Sequence, residues 1–340
     1  MRVYDYERAP DYSLRSLANV YNTCLRDIVT SGWKVGPRGK ATLELNDVAL
    51  RFPQMCGTVS WNGRRLNPFF LLSEMLWIVS GADETSLLEP HMPSIVNFYD
   101  DGKTFGAYGP RFSNQIDGVI QTLKSDPNSR QAVMTMWRPS LYTEGIRAPT
   151  RDVPCTVMLH FRLVKHPQAV AYALNTTVYM RSNDMYKGFP YDTFNFGMIQ
   201  AIVAAAVGAK MGTCTHIVGS AHVYQEDLIN VIRHGQDLPG LTQSWSSLSK
   251  DLANFNELTQ DVVLRNLCQM RDMYRARKEG KHGSIYTTEL LVIPTGIEIF
   301  DTYTKILARK LDAKPNEKID TKDAPGFLRI LIDDYYGEES

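Results

Sequence analysis

The run from Arg151 to Gly212 limits the fold more than any other part of the chain. "RDVPCTVMLHFRLV" (151–164) alternates, which places Val153, Cys155, Val157, Leu159 and Phe161 on one face of a strand. "AVAYALNTTVYMRS" reads as a second strand. The chain then passes through the charged mouth "MRSNDMYKGFPYDTFNFG" (180–197) into a long apolar helix, expected over 192–211. Its most apolar part, "FGMIQAIVAAAVGAKMG" (196–212), is interrupted by Gln200, Gly208 and Lys210, and no run reaches membrane-spanning length. A helix apolar on all sides that does not span a membrane must be buried by the rest of its own chain.

Upstream, Leu14, Leu17, Tyr21, Leu25 and Ile28 recur at helical spacing, so residues 12–33 are expected to form a helix. "VGPRGKATLELNDVALRF" is a turn followed by strand-like alternation. "NPFFLLSEMLWIVSGADE" predicts a helix with Asn67 as N-cap, Pro68 at the first helical position and Gly81 as the stop. Apart from Ser73 and Glu74 its middle is apolar all round, and a carboxylate there needs a partner or a task. Residues 92–113 read as loop, 114–124 as helix, "RQAVMTMW" as strand, and "CTHIVGSAHVYQEDL" as a short strand leading to a helix. The character changes near residue 230. Residues 1–230 are read as the core and 231–340 as an appended, mostly helical region packed on it.

Lys+Arg and Asp+Glu each number 37, so the net charge is zero, which argues against a general nucleic-acid binder. A local basic pocket for one small phosphate remains compatible with that balance. The N-terminus "MRVYDYERAPDY" lacks an apolar signal core, and the five scattered cysteines point to reduced thiols. The expected setting is therefore cytoplasmic, without membrane contact. No Cys/His spacing suggests a metal site.

Several residues carry chemistry or a plainer role with equal economy. Cys155 follows Pro154 at a strand edge or bulge, and reads either as a small buried apolar residue or as a nucleophile. Arg181 and Ser182 end the next strand. Together they suit phosphate oxygens, and an arginine near a thiol favours the thiolate. His222 and Tyr224, two apart in "SAHVY", share one face of a strand as packing residues or as a grip on a sugar hydroxyl. Arg38 and Arg130 each follow a turn, where solvated surface charge is the plain reading. Arg147 and Arg151 bracket "APT" just before Cys155, on a loop or in the same pocket.

Taken together, "SEMLW", "FGAYG", "DPNSRQAVMTMW", "VPCT", "YMRSNDMYKGFPYDTFNFG" and "GSAHVY" resemble the thymidylate synthase superfamily, in order from about Arg38 to Tyr224. The resemblance implies an α/β fold: a large, kinked, mostly antiparallel sheet with helices on one face, paired sheet to sheet as a homodimer. It implies 5,10-methylenetetrahydrofolate as cofactor, Cys155 as the nucleophile on C6 of a pyrimidine, and Glu74 as the carboxylate managing protons through ordered water. Tyr108 would line the pocket. Arg181, Ser182 and Arg38 would hold the 5′-phosphate, with Arg130 lent by the partner protomer. Asp184 would face the folate with Gly188 in the turn beneath it, and His222 and Tyr224 would take the sugar's 3′ hydroxyl. Gln131 stands where the family usually has a second arginine, and Lys187 where it usually has an apolar residue.

Asp192 is the telling departure, because the aligned family residue is asparagine. Asparagine accepts from uracil N3–H and donates to O4. Cytosine inverts that pattern, and an acid serves it: a proton shared with N3 supplies the donor while the other oxygen accepts from the 4-amino group. As an isolated residue Asp192 reads equally as a helix N-cap. Val96 is aligned with a tryptophan that shields the methylene intermediate in the family, and a smaller side chain would admit water. The resemblance thus implies a deoxycytidylate 5-hydroxymethylase, encoded by a phage or a cell. A CMP hydroxymethylase, a cytidylate C5-methylase and a thymidylate synthase are the rival enzymes. A nucleotide- or RNA-binding relative without catalysis is the rival from another class.

Overall fold

The computed structural model describes residues 1–8, 16–53, 57–59, 66–98, 105–139, 152–165, 167–234, 250–280, 292–314 and 317–337. Among these a seven-stranded sheet runs in the order β1 (Arg2–Asp5), β3 (Thr42–Pro53), β7 (Lys210–Tyr224), β6 (Ala173–Asp184), β5 (Thr156–Val164) and β4 (Val133–Thr135), with β2 (Trp33–Val35) also paired to β3. Pairings β2–β3, β3–β7, β4–β5 and β5–β6 are antiparallel, while β1–β3 and β6–β7 are parallel. Parallel neighbours need a crossover, and α5 (Phe189–Ala206) supplies the one between β6 and β7. This is the helix that the apolar segment demanded. Phe194, Phe196, Met198, Ile199, Ile202 and Val203 are all buried, and Gln200 is buried with them because its side chain donates to the Leu174 carbonyl at 2.6 Å.

The helix ends follow local chemistry. Ser16 caps α1 (Leu17–Ser31) by accepting from Asn19 N–H. Asn67 caps α2 (Pro68–Val79) by accepting from Phe69 and Phe70, and Gly81 ends that segment at φ +77°. The helix expected over 192–211 runs instead from Phe189 to Ala206, since Lys210 and Met211 already belong to β7, and four further segments differ from expectation. The segment read as a short strand before Gln225 is the fifteen-residue β7. The strand in "RQAVMTMW" is only Val133–Thr135. The stretch read as loop contains α3 (Tyr108–Ser113), which precedes α4 (Ile116–Ser125). The alternation expected from Val153 to Phe161 breaks at a bulge between Thr156 and Met158, which changes the phase of the strand just after Cys155.

A single line of irregularity kinks the sheet. In β7 the buried positions run Cys214, His216, Val218 and then Ala221, Val223. In β6 they run Leu174, Thr176, Val178, Met180 and then Asn183. In β3, Asp47 has φ +54° between Asn46, paired with Ser220, and Val48, paired with Val218. Asp47, Gly219 and Arg181 therefore sit abreast, and all three strands change phase there. Gly219 is required because a Cβ would lie 2.9 Å from the Arg181 carbonyl oxygen. Beyond this line Ser182, Asp184 and His222 take positions that an unbroken pleat would not give them.

The C-terminal helices α7 (Glu257–Lys278), α8 (Glu298–Asp312) and α9 (Gly326–Tyr336) follow α6 (Leu228–His234) and share the same core. Gln260 donates to Val79 O of α2 at 3.0 Å and accepts from Ser113 Oγ at 3.1 Å. Phe194 of α5 meets Tyr303 and Phe327, each with ring centroids 6.1 Å apart. Among the described residues no helix is long and apolar enough to cross a membrane.

Candidate active site

A cavity of about 260 Å³ opens where α2, α5, the ends of β5 and β6 and the 105–108 segment converge. Its lining includes Glu74, Tyr108, Cys155, Ser182, Asp184, Gly188 and Asp192, seven of the residues singled out from sequence. Four more belong to it that the sequence reading missed: Trp77, Asp152, Asn183 and Asn195. One was findable. Asn195 lies three residues after Asp192 on the same helix, a spacing that places both on one face.

Cys155 is presented by the bulged start of β5. Its Sγ lies 3.7 Å from Arg181 Nη2. Arg181 is fixed by donating from Nε to Pro154 O and from Nη2 to Val153 O, each at 2.9 Å, and Arg181 N–H donates to Cys155 O. Burial pushes the Cys155 thiol up, against the pull of Arg181 and Arg38, while Asp192 and Asp152 push it further. The expectation that Arg181 favours the thiolate holds for its own effect, but burial outweighs it here.

Besides Asp152, three carboxyls line the cavity with this sulfur. Glu74 projects from α2 into the cavity, and burial pushes its pKa up to about 7, opposed by a hydrogen bond from Asn195 Nδ2 at 2.8 Å. Asp192 retains some solvent access through the opening. It is still enclosed enough that burial, then Glu74, hold its carboxyl well above the usual range, with Asn183 opposing. It does not cap its helix: α5 begins at Phe189, and Asp192 lies inside the first turn with its N–H on Gly188 O. Asp184 accepts from the N–H groups of Tyr186 and Lys187 at 2.9 Å, yet burial still raises it. Burial also drives the Tyr108 phenol far upward, so it stays neutral, and its oxygen accepts from Thr156 N–H at 3.1 Å.

Other expected residues lie around the cavity rather than in it. His222 and Tyr224 do share a face, with ring centroids 5.3 Å apart, and His222 Nδ1 is 3.4 Å from Ser182 Oγ. Arg38 is exposed in a turn at φ +54°. Arg130 is exposed after the turn closed by Ser129 N–H on Asp126 O, and it does not reach this chain's own cavity. Val96 is 48 % exposed and does not line the cavity, whose indole is Trp77. Lys187 has partners: its Nζ lies 2.6 Å from Glu226 and 2.8 Å from Asp227, and 5.4 Å from the Tyr224 ring centroid. It thereby ties the 184–188 turn to the end of β7. Arg147 and Arg151 lie outside the described residues.

Residues 19–273 match the profile of the family described as Thymidylate synthase, three quarters of the chain. The chain belongs to the thymidylate synthase family. That match runs past the boundary near residue 230 suggested by composition, to within α7. Three relatives from phages are each named "Deoxyuridylate hydroxymethyltransferase". The one from Bacillus phage SP01 is 31 % identical over 61 % of this chain and 57 % of its own length. The one from Pseudomonas phage M6 is 30 % identical over 50 % of this chain and 48 % of its own. The one from Delftia phage PhiW-14 is 31 % identical over 52 % of each. The chain thus spans about half the length of the curated relatives it matches. Within the thymidylate synthase family, an aspartate inside the first turn of α5 now calls for a functional account, since the helix end does not use it as a cap.

Proposed function

We propose that this chain is a pyrimidine-nucleotide 5-hydroxymethyltransferase acting on a cytidine nucleotide, dCMP ahead of CMP, with 5,10-methylenetetrahydrofolate as one-carbon donor. The reading rests on Asp192, a carboxyl that lines the Cys155 cavity and whose hold on a proton burial strengthens. A neutral carboxyl is both donor and acceptor across one edge, which matches N3 and the 4-amino group of cytosine. An anion there would face uracil O4 with no proton to offer.

The rest of the site supports the same chemistry. Cys155 adds to C6, and the charge this places on the ring is met at N3 by the Asp192 proton. Glu74, with a pKa near 7, is suited to moving the C5 proton at neutral pH, with Asn195 holding it in place. Arg181, Ser182 and Arg38 supply donors for the 5′-phosphate, and His222 and Tyr224 for the 3′ hydroxyl. Asp184, Gly188 and the apolar wall of Trp77 and Ile78 fit a folate. The acid offers acceptor oxygens, and the turn is so tight that a Cβ at 188 would lie 3.2 Å from Asn183 Oδ1. When bound, the folate supplies the carbon at the oxidation level of formaldehyde.

Arg130 is assigned to the partner's phosphate site in a homodimer, in keeping with its exposure and its distance from this chain's cavity. Met158, His160, Arg162, Tyr179 and Ile217, half-buried on strands β5 to β7, suit a sheet-to-sheet contact. The division into a core to residue 230 and an appended helical region goes with this assembly.

A second reading, dUMP as substrate, is favoured by the printed names of the three phage relatives. One assay separates the readings. The protein is given dCMP, CMP or dUMP with 5,10-methylenetetrahydrofolate, and the products are weighed. A gain of about 30 mass units on a cytidine nucleotide is expected, whereas about 14 means methylation. Turnover of dUMP alone overturns the cytidine reading. Cys155→Ser is expected to abolish turnover and keep nucleotide binding.

A further inference from the structure

Glu44 is a carboxylate for which the chemistry above has no use. It is half-buried in β3, where a charged group is costly without a partner or a task. Strand register shows what it faces. Asp184 of β6 pairs with His222 of β7, and His222 pairs with Glu44 of β3. Residues directly opposite on paired strands share a face, with Cβ atoms about 5 Å apart. The three side chains therefore form one row. It starts at the cavity wall, where Asp184 lies, and crosses the sheet through His222. Asp184 and His222 also attract one another electrostatically. Tyr224 lies on the same face, two residues on from His222.

Bonds to neighbours set the row in place. Glu44 Oε2 accepts from Ser220 Oγ at 2.7 Å. That bond uses one of roughly four lone-pair sites on the carboxylate, so Glu44 is anchored and still able to accept. His222 Nδ1 lies 3.4 Å from both Ser182 Oγ and Ser220 O, which leaves Nε2 for a ligand. A sugar hydroxyl has one hydrogen to give and two lone pairs to fill. His222 and Tyr224 can donate to the lone pairs, and the hydrogen then needs an acceptor. We infer that Glu44 accepts the hydrogen of the sugar's 3′ hydroxyl, as a third residue of the sugar subsite. This rests on the assignment of His222 and Tyr224 to that hydroxyl, and it is indifferent to which base the nucleotide carries. A site built to bond a hydroxyl rejects an analogue without it, because its own polar groups are left unpaired.

The test uses the full chain, Glu44→Gln and Glu44→Ala. Glutamine keeps the size and an oxygen for Ser220, but the nitrogen it turns toward the hydroxyl can only donate. Alanine removes the group, and its urea midpoint reports that the chain is folded. Calorimetric titration gives Kd for dCMP and dUMP and for the 2′,3′-dideoxy counterpart of each. The parent is expected to bind the dideoxy nucleotides at least about tenfold more weakly, the effect of unpaired polar groups in the site. Each variant is expected to bind dCMP and dUMP roughly tenfold more weakly than the parent and the dideoxy nucleotides within about twofold of it, the loss of one hydrogen bond to a charged group. Equal weakening of both kinds of nucleotide, or no change in either, overturns the inference. A parent chain that does not distinguish them removes the 3′ hydroxyl assignment, and this inference with it. Turnover of dUMP alone, which overturns the cytidine reading, leaves the expected pattern of Kd values unchanged.

Discussion

Asn195 Nδ2 donates to Glu74 Oε2 across 2.8 Å, linking the middle of α2 to the first turns of α5. Burial raises Glu74 to about 7 and this bond is the one influence pulling it back, since a donor favours the charged form. Replacing Asn195 with Ala removes the donor. The pKa that governs C5 tritium release is expected to move upward in Asn195→Ala, read from the pH dependence of exchange. An unchanged or lowered value would mean that the bond does not act on Glu74 in solution.

The same residue makes stability depend on pH. Glu74 ionises at an ordinary 4.5 when unfolded and at about 7 when folded. Between those values the folded state binds more protons than the unfolded state, so stability falls as pH rises through this window. The contribution is fully present below about 4.5 and lost above about 7. Glu74→Gln, which cannot ionise, is expected to show a flatter decline in denaturation midpoint from pH 5 to 8. Parallel slopes for the two proteins would contradict the assignment.

Packing near Tyr108 can be tested apart from chemistry. A Cβ at Gly109 would lie 2.2 Å from Ala82 O and 2.8 Å from Ala82 N, both backbone atoms that cannot rotate away. Gly109→Ala is expected to cost at least ~2 kcal/mol, the scale of overpacking in a closed site. Gly118, exposed in α4 with nothing within 4 Å of its would-be Cβ, provides the control. Gly118→Ala is expected to be neutral or to stabilise by up to about 1 kcal/mol through helix propensity. Urea midpoints for the two variants would decide, and equal effects would refute the packing argument.

What was legible in the sequence was whatever local rules control. The Asn67 cap, the Gly81 stop, the buried α5 and the shared face of His222 and Tyr224 follow from spacing and capping chemistry. The site residues Glu74, Cys155 and Asp192 stood out because charge or sulfur beside apolar runs is costly without a purpose. Features made by three strands meeting were hidden. The kink through Asp47, Gly219 and Arg181 depends on cross-strand register, and no single segment displays it. Asp152 carries no local signal, because its contact is with Gly106, 46 residues away. Val96 was given a place in the cavity by alignment, but the 93–98 turn leaves it 48 % exposed.

If the cytidine reading holds, Asp192 is the position at which base preference is open to direct change. Its side chain is ringed by Asn183, Glu74 and Gly188, with a would-be Cβ at Gly188 lying 3.6 Å from Asp192 Oδ2, so an amide of equal size fits without rearrangement. Asp192→Asn replaces an acid that can hold and share a proton with a group that donates from nitrogen only. In the orientation that serves uracil the amide meets the 4-amino group of cytosine with a second donor, and it must turn over to match that base. Against uracil the amide satisfies both O4 and N3–H. The ratio of kcat/KM for dCMP over dUMP is expected to fall by a factor of tens to about a hundred, the effect of leaving one buried polar group unpaired. Burial, not Asp192, raises Glu74, so its governing pKa is expected to stay in place in the same variant. A preserved dCMP preference with a shifted pKa would mean that the acid tunes Glu74 without reading the base.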